Sequence, residues 1–254
     1  MVQYLLTSPG NLEQARHFGL PPVHLAFSLG PDGLLHYEKL PDACRGGLML
    51  AGAEDAPETG PADRTVRDIL GLCRDRGFRG VVLDRDGPPT AYLSRLIRGL
   101  DQGLAQAERG LFLPEAYSRF SRRAFLFLSS AVSGGSLERR LREAAESYGA
   151  ARLVLALERT AEDFPIPAPD GTGRPLARRE LETLLHRLRP AVRFSDELCA
   201  CYFTYLDSKN RPRLVLFDRA DSMKKKRELA RAIGIERFFL LYPQTEDLLS
   251  ELLS

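Results

Sequence analysis

The chain has 254 residues, with 36 basic against 34 acidic side chains and a formal net charge of +2. Hydrophobic residues make up 44% and charged residues 28%, which excludes a disordered chain and gives no compositional case for a nucleic-acid or other polyanion binder. No stretch approaches about 20 apolar residues, so no transmembrane span is expected; the opening MVQYLLTSPGN lacks the basic region and apolar run of a secretory signal, which favours a cytoplasmic or otherwise retained protein.

Taken in chain order, short apolar runs alternate with helical segments, as in a parallel α/β protein. Eight runs read as strands: Val2 to Leu6, Val23 to Leu29, Gly47 to Ala51, Gly80 to Asp84, Leu111 to Glu115, Ala124 to Leu128, Arg152 to Leu157 and Arg237 to Tyr242. Asn11 followed by Gln14 predicts a capping box before a helix over Leu12 to Phe18. A later helix carries Leu93, Leu96, Ile97, Leu100 and Leu104 on one side. Ser136 is placed to cap a helix whose Leu137, Leu141, Ala144 and Tyr148 recur at helical spacing, and the segment before Pro190 repeats the pattern with Leu181, Leu184, Leu185 and Leu188. The Pro/Gly-rich stretch Pro165 to Pro175 breaks the rhythm and reads as a loop, with Gly171 to Gly173 in it as a flexible lid or surface turn. After it, Cys199 to Leu206 and Arg213 to Phe217 have strand character on either side of a turn-like Asp207 to Asn210, which predicts a β-hairpin at about residues 199–217 between the seventh and eighth strands. No linker interrupts the pattern, so residues 1–254 read as one domain. Eight strands and about eight helices make a closed (β/α)₈ TIM barrel the expected fold, with a doubly wound open sheet as the alternative.

A barrel of this type keeps its chemistry at the C-terminal ends of its strands. There the fourth strand presents Val82, Asp84 and Asp86 in one phase, the fifth Glu115 and Tyr117, the seventh Glu158 and the eighth Tyr242. Alternation sends Asp84 and Asp86 to one side, where two close carboxylates can raise one proton affinity and hold a general acid ready. The same pair could instead be a salt-bridged loop start, with Arg79 or Arg85 as counter-ion, or a divalent-cation ligand set. EF-hand, HExxH, P-loop and GxSxG patterns are absent from the sequence, and nothing in it calls for a cofactor. Cys44, Cys73, Cys199 and Cys201 show no paired ligand spacing; Cys199 and Cys201 would face the same side of a strand, but without a neighbouring histidine they read as structural or surface thiols rather than a metal site.

Several stretches together resemble the family 18 glycoside hydrolases, in particular chitinase-like barrels associated with bacterial spore germination and cortex proteins. These are Val23-His-Leu-Ala-Phe-Ser with Asp32-Gly33, Gly77 to Asp86, Tyr202-Phe-Thr-Tyr-Leu-Asp, Val215-Leu-Phe-Asp with Ser222 and Lys226, and Gly234 to Leu241. The family signature Asp-x-x-Asp-x-Asp-x-Glu falls here on Arg79, Val82, Asp84 and Asp86, so only the third acid is unchanged. The resemblance gives Asp84 the role of orienting a substrate N-acetyl group, whose carbonyl acts as nucleophile, and Asp86 the role of acid. Asp86 is one methylene shorter than glutamate, about 1.5 Å, and misplacement of about 1 Å costs on the order of 10²-fold in rate. Leu128-Ser-Ser-Ala stands where the family has a Met-x-Tyr-Asp-like element, and Leu241 and Tyr242 stand where it has a tryptophan; Tyr242 remains able to stack on a sugar. Arg79 beside the acids would lower the acid's pKa.

These departures favour a degenerate, non-catalytic barrel that binds an N-acetylglucosamine-containing oligosaccharide, a peptidoglycan fragment or a protein partner through Glu115, Tyr117, Glu158 and Tyr242. The alternative is a divergent hydrolase that cleaves such polymers with Asp86 and Asp84. The family association adds a spore location to the cytoplasmic one.

Overall fold

The computed structural model describes residues 1–38, 40–168 and 171–254. The strands in chain order are β1 (Val2–Thr7), β2 (Pro22–Leu29), β3 (Leu35–His36), β4 (Leu48–Gly52), β5 (Gly80–Asp84), β6 (Gly110–Pro114), β7 (Phe125–Ser129), β8 (Leu153–Leu157), β9 (Ala161–Pro165), β10 (Arg174–Pro175), β11 (Arg193–Ser195), β12 (Ala200–Leu206), β13 (Pro212–Phe217) and β14 (Arg237–Leu241). The helices are α1 (Leu12–Arg16), α2 (Asp63–Asp75), α3 (Ala91–Gln106), α4 (Leu137–Tyr148), α5 (Arg178–Leu188), α6 (Ala220–Ala232), α7 (Tyr242–Thr245) and α8 (Leu249–Leu253). Among the described residues no helix is long and apolar enough to cross a membrane. The chain divides into two compact units: Met1–Leu128 with Ala151–Ala156 and Glu236–Pro243, and Ser129–Ala150 with Leu157–Ile235 and Gln244–Ser254.

The first unit holds the barrel. Its ring runs β1, β14, β8, β7, β6, β5, β4, β2 and closes through the parallel β1–β2 pairing, while β3 lies outside the ring, antiparallel to β2. The eight apolar runs of the sequence are these eight ring strands, with ends displaced by at most one residue. Closure rules out the open doubly wound sheet. The third strand starts at Leu48 because Gly47 has φ +63° and a Cβ there would meet the Pro22 carbonyl oxygen at 2.1 Å, a place only glycine can take. The fifth ends at Pro114, and Glu115 opens a 3-10 turn over Glu115–Phe120.

The barrel interior is a packed core. Val23, Leu48, Leu50, Val82, Phe112, Val154 and Phe239 are buried in one cluster, with Tyr4, Leu6, Leu25, Phe125, Phe127 and Ala156 against it. Aromatic rings contact one another within it: Phe112 stacks on Phe125 at 4.9 Å, and Tyr4 meets Phe112 and Phe239 edge-on at 6.0 and 5.8 Å. A filled interior leaves chemistry to the strand ends.

Outside the ring, α3 buries all five residues of its apolar stripe, and the Thr90 hydroxyl oxygen caps it by accepting from the Leu93 N–H. The capping box expected at Asn11 does not form. Asn11 ends a 3-10 turn (Pro9–Asn11) at φ −104°, ψ 2°, outside the extended conformation a cap needs, and the helix stops at Arg16. Helices also do not follow strands one for one: none lies between β2 and β4 among the described residues, and the 3-10 turn replaces one between β6 and β7.

The second unit is built on an antiparallel sheet ordered β10, β9, β13, β12, β11. The expected hairpin is its β12–β13 pair, in register from Cys201 with Phe217 to Leu206 with Pro212. The sheet is therefore larger than a hairpin. Leu176 and the α5 residues Leu181 and Leu184 pack with Phe203, Val215 and Phe217, while Phe164, Ala200 and Leu216 form a second cluster. The ends of the Pro165 to Pro175 stretch belong to β9 and β10, which pair through Asp163 with Arg174 and Glu162 with Pro175; Pro169 and Asp170 lie outside the described residues. Ser136 caps α4 as expected, its Oγ accepting from the Arg139 N–H at 3.3 Å. Cys199 does not share a strand face with Cys201, because it precedes β12 at φ +52°, where alternation does not hold.

Asp218 organises the start of α6. Its Oδ2 accepts from Lys226 Nζ at 2.7 Å and from the Thr160 N–H at 2.8 Å, and its Oδ1 accepts from Ser222 Oγ at 2.7 Å. The Lys226 and Asp218 side chains are 1% and 0% exposed. Asp218, Ser222 and Lys226, which carry part of the resemblance in the sequence, thus form a buried ion-pair network at the start of α6.

Candidate functional site

At the C-terminal ends of β4 and β5 stand Glu54, Asp55, Asp84 and Asp86. Gly52 and Asp84 are register partners, so the two strands end at one level. Val82 belongs to the interior cluster, and alternation puts Asp84 on the same side, exposed at the rim. The strand ends there, so Asp86 is placed by a contact and not by strand phase: its N–H donates to Glu54 Oε1 at 2.8 Å, which ties the segment after β5 to the segment after β4.

Arg85 turns the other way. Its side chain is 13% exposed, with one guanidinium nitrogen 3.5 and 3.4 Å from the Ala53 and Ala56 carbonyl oxygens and the other 3.8 Å from Glu58. Tyr117 is fully buried, and its hydroxyl donates to the Gly87 carbonyl at 3.3 Å. Burial pushes the Tyr117 hydroxyl pKa up; Arg85 opposes the rise, and Glu54, Asp84 and Asp86 add to it. One phenol therefore senses all three carboxylates and the guanidinium, which places Glu54, Asp84, Asp86, Arg85 and Tyr117 in a single electrostatic neighbourhood.

Arg79 is not part of it. Its N–H donates to the Gly47 carbonyl at the other end of β5, five residues from Asp84, about 16 Å at the rise of a strand and beyond the reach of its side chain. The basic group of the site is Arg85.

Glu115 is half-buried at the start of its 3-10 turn. Tyr242 is 3% exposed and packs on Phe18 at 6.2 Å. A sugar reaches the Tyr242 or Tyr117 ring only if the residues covering it move. In the second unit, Glu158 Oε2 accepts from Ser129 Oγ at 2.8 Å and its N–H donates to Ser130 Oγ at 3.2 Å, so the two serines after Leu128 are engaged with Glu158.

Sequence reading missed Glu54. The signal is present, since Glu54 and Asp55 follow the third apolar run directly, as Asp84 and Asp86 stand at the end of the fourth. No group of three or more His, Cys, Asp or Glu among the described residues could hold a metal ion. The three carboxylates can accept hydrogen bonds from a hydroxyl-rich ligand and, where one is protonated, transfer a proton.

The architecture has known counterparts. The spore cortex-lytic enzyme SleL of Bacillus cereus superposes with a TM-score of 0.71 at 16% identity, covering 99% of this chain and 74% of that one. The fold is a family 18, chitinase-like barrel. A chitinase from Chromobacterium violaceum matches this chitinase-like barrel with a TM-score of 0.70 at 15% identity, over 98% of this chain and 97% of that one. A family 18 chitinase from Cycas revoluta, solved in complex with (GlcNAc)₃, matches at 0.65 and 13% identity, over 99% and 98%. No protein-family model and no curated protein matches the chain.

Proposed function

We propose that this chitinase-like barrel binds an N-acetylglucosamine-containing glycan across the ends of β4 and β5 and hydrolyses it with Asp86 and Asp84. The observation that carries the reading is the meeting of Asp84, Asp86 and Glu54 at one rim of a barrel whose solved counterparts include chitinases and a spore cortex-lytic enzyme. In this scheme Asp86 in its protonated form gives its proton to the glycosidic oxygen. Asp84 holds the substrate N-acetyl group so that its carbonyl oxygen attacks the anomeric carbon, and water then opens the cyclic product. Glu54 fixes the backbone at Asp86 by accepting its N–H. Glu115 remains a proposed contact of the glycan, as do Tyr117 and Tyr242 once the residues covering them move. Peptidoglycan and chitin fragments are the substrate class, and a spore setting follows from the SleL counterpart.

A second reading is supported by the Asp86 side chain itself. It is exposed and one methylene short of the family's glutamate, which favours a barrel that retains the glycan and turns it over poorly or not at all. Calorimetric titration with chito-oligosaccharides and peptidoglycan fragments, with mass spectrometry of products from the same samples, separates the two. Binding with shortened products supports hydrolysis, and Asp86→Asn then abolishes turnover while keeping affinity, because only the transferable proton is lost. Turnover that survives Asp86→Asn refutes the acid assignment. Binding without products supports the second reading, and an absence of both overturns glycan recognition.

A further inference from the structure

The two ends of the barrel unit differ in charge, which the net charge of +2 conceals. Acids stand at the C-terminal rim, and arginines gather at the opposite end. Arg237 opens β14, Arg152, Arg109 and Arg79 immediately precede β8, β6 and β5, and Arg122 and Arg123 come just before β7. These five strands are consecutive in the ring, in the order β14, β8, β7, β6, β5. We propose that this end of the barrel docks the carboxylates of a peptidoglycan strand, a second hold on the polymer whose glycan the rim binds. The inference rests on the glycan-binding reading above and adds to it a separate contact surface for that substrate.

The arginines form one continuous arc. Gly80 is the register partner of Gly110, so Arg79 and Arg109 enter their strands side by side. Arg109 and Arg123 line one hollow of about 200 Å³. Arg152 donates to the Ala124 carbonyl at 3.2 Å and to the Ser121 carbonyl at 3.1 Å, on either side of Arg122 and Arg123. Arg237 donates to the Ala151 carbonyl at 2.8 Å, next to Arg152, and its guanidinium lies 4.3 Å from the centre of the Phe125 ring. Four gaps of about 4.8 Å between strands make the arc about 19 Å long.

The arc is under-neutralised. Of its six arginines only Arg123 makes an ion pair among the described residues, with Asp101 at 3.1 Å, and the remaining acids at this end are Glu108 and Glu236. Six cations against three anions leave charge for a ligand to satisfy. Arg79, Arg122 and Arg123 are exposed, while Arg109, Arg152 and Arg237 are half-buried and already held, by the Cys73 thiol and by the carbonyls named above. A guanidinium takes a carboxylate through two parallel hydrogen bonds, and one that is already held loses little freedom in doing so. Peptidoglycan repeats carboxylates along its strands on lactyl and peptide groups. A protein gripped at the arc meets neighbouring strands of that network at high local concentration, which favours engagement of the rim. A nucleic-acid strand would gain only a weak, salt-sensitive hold from so small a charge surplus.

The test is co-sedimentation of the full chain with peptidoglycan sacculi, native or with their carboxyl groups amidated, beside titration with chitotetraose, which carries no carboxylate. Wild type is compared with Arg79→Glu/Arg122→Glu, two exposed positions whose side chains make no hydrogen bond or ion pair among the described residues, and melts are recorded. The expected result is about tenfold weaker binding of the double variant to native sacculi, a similar loss for wild type on amidated sacculi, and unchanged chitotetraose affinity and melt. Wild-type affinity of the double variant for native sacculi overturns the proposal, as does equal binding of wild type to native and amidated sacculi. If the double variant melts lower, Arg79→Gln/Arg122→Gln replaces it, and a loss of binding that again follows the melt overturns the proposal. Duplex DNA that displaces the protein from sacculi more strongly than poly-L-glutamate at equal charge also overturns the choice of partner. Binding to chitotetraose without binding to sacculi removes the arc and leaves the rim reading standing; carboxylate-dependent binding to sacculi without chitotetraose does the reverse.

Discussion

Replacing Lys226 by methionine removes the cation of a buried pair while nearly conserving side-chain volume. Asp218 would keep its hydrogen bonds from the Thr160 N–H and the Ser222 hydroxyl, but its carboxylate, 0% exposed, would have no counter-charge. Breaking a buried pair in this way costs about 3–5 kcal/mol. The position of Asp218 just before the N-terminus of α6 lowers that figure, because the helix dipole favours an anion there by up to about 2 kcal/mol. The two surviving hydrogen bonds act in the same direction, so a loss of about 3 kcal/mol is expected, and a fall in Tm on the order of 6–12 °C for a chain of this length. Guanidinium unfolding followed by far-ultraviolet circular dichroism, with calorimetric melts, measures both. The control is Asp218→Asn combined with Lys226→Met. With neither charge left, the loss should shrink to about 1–2 kcal/mol, the scale of imperfect hydrogen bonding. A single variant within about 1 kcal/mol of wild type, or a double variant no better than the single, would refute the argument that an uncompensated buried charge sets the cost.

Two further predictions concern local structure. Asp207 closes the β12–β13 turn, accepting from the Arg211 guanidinium and from the Lys209 and Arg211 N–H groups, and these bonds hold its carboxyl at a pKa of about 2 against an ordinary 3.8. A folded-state pKa below the unfolded one gives support that is complete above about 4 and lost as pH falls through about 2; carbon-13 NMR titration should show this midpoint, and Arg211→Ala should return it toward 3.8. Ser136→Ala should cost about 0.5–2 kcal/mol through the lost α4 cap, measured by denaturant unfolding, and an unchanged midpoint would show the cap to be idle.

Local pattern carried far in this chain. The apolar runs delimit the ring strands because burial on both faces of a parallel sheet demands continuous hydrophobic stretches. The stripe from Leu93 to Leu104 became the buried face of α3 for the equally local reason of helical spacing. Asn11 misled because a capping signature has meaning only if the residue is extended, and the proline at position 9 starts a 3-10 turn instead. At the candidate site, Asp84 was legible because strand phase alone places it. Glu54 was not, since its relation to Asp86 is a hydrogen bond between two loops 32 residues apart.

The sequence by itself determined which segments are ring strands, which helices pack a stripe of leucines, and that the acids Asp84 and Asp86 follow the fourth strand, all properties set by neighbours within a few residues. Tertiary structure decided the rest: that β1 pairs with β2 and closes the ring, that Arg79 is stranded at the far end from the acids while Arg85 is drawn in among carbonyls, and that Tyr117 and Tyr242 are covered. Each of these depends on which strands become neighbours and on how the intervening loops fill space, and both are fixed by contacts between residues distant along the chain, which a local reading of composition and period does not contain.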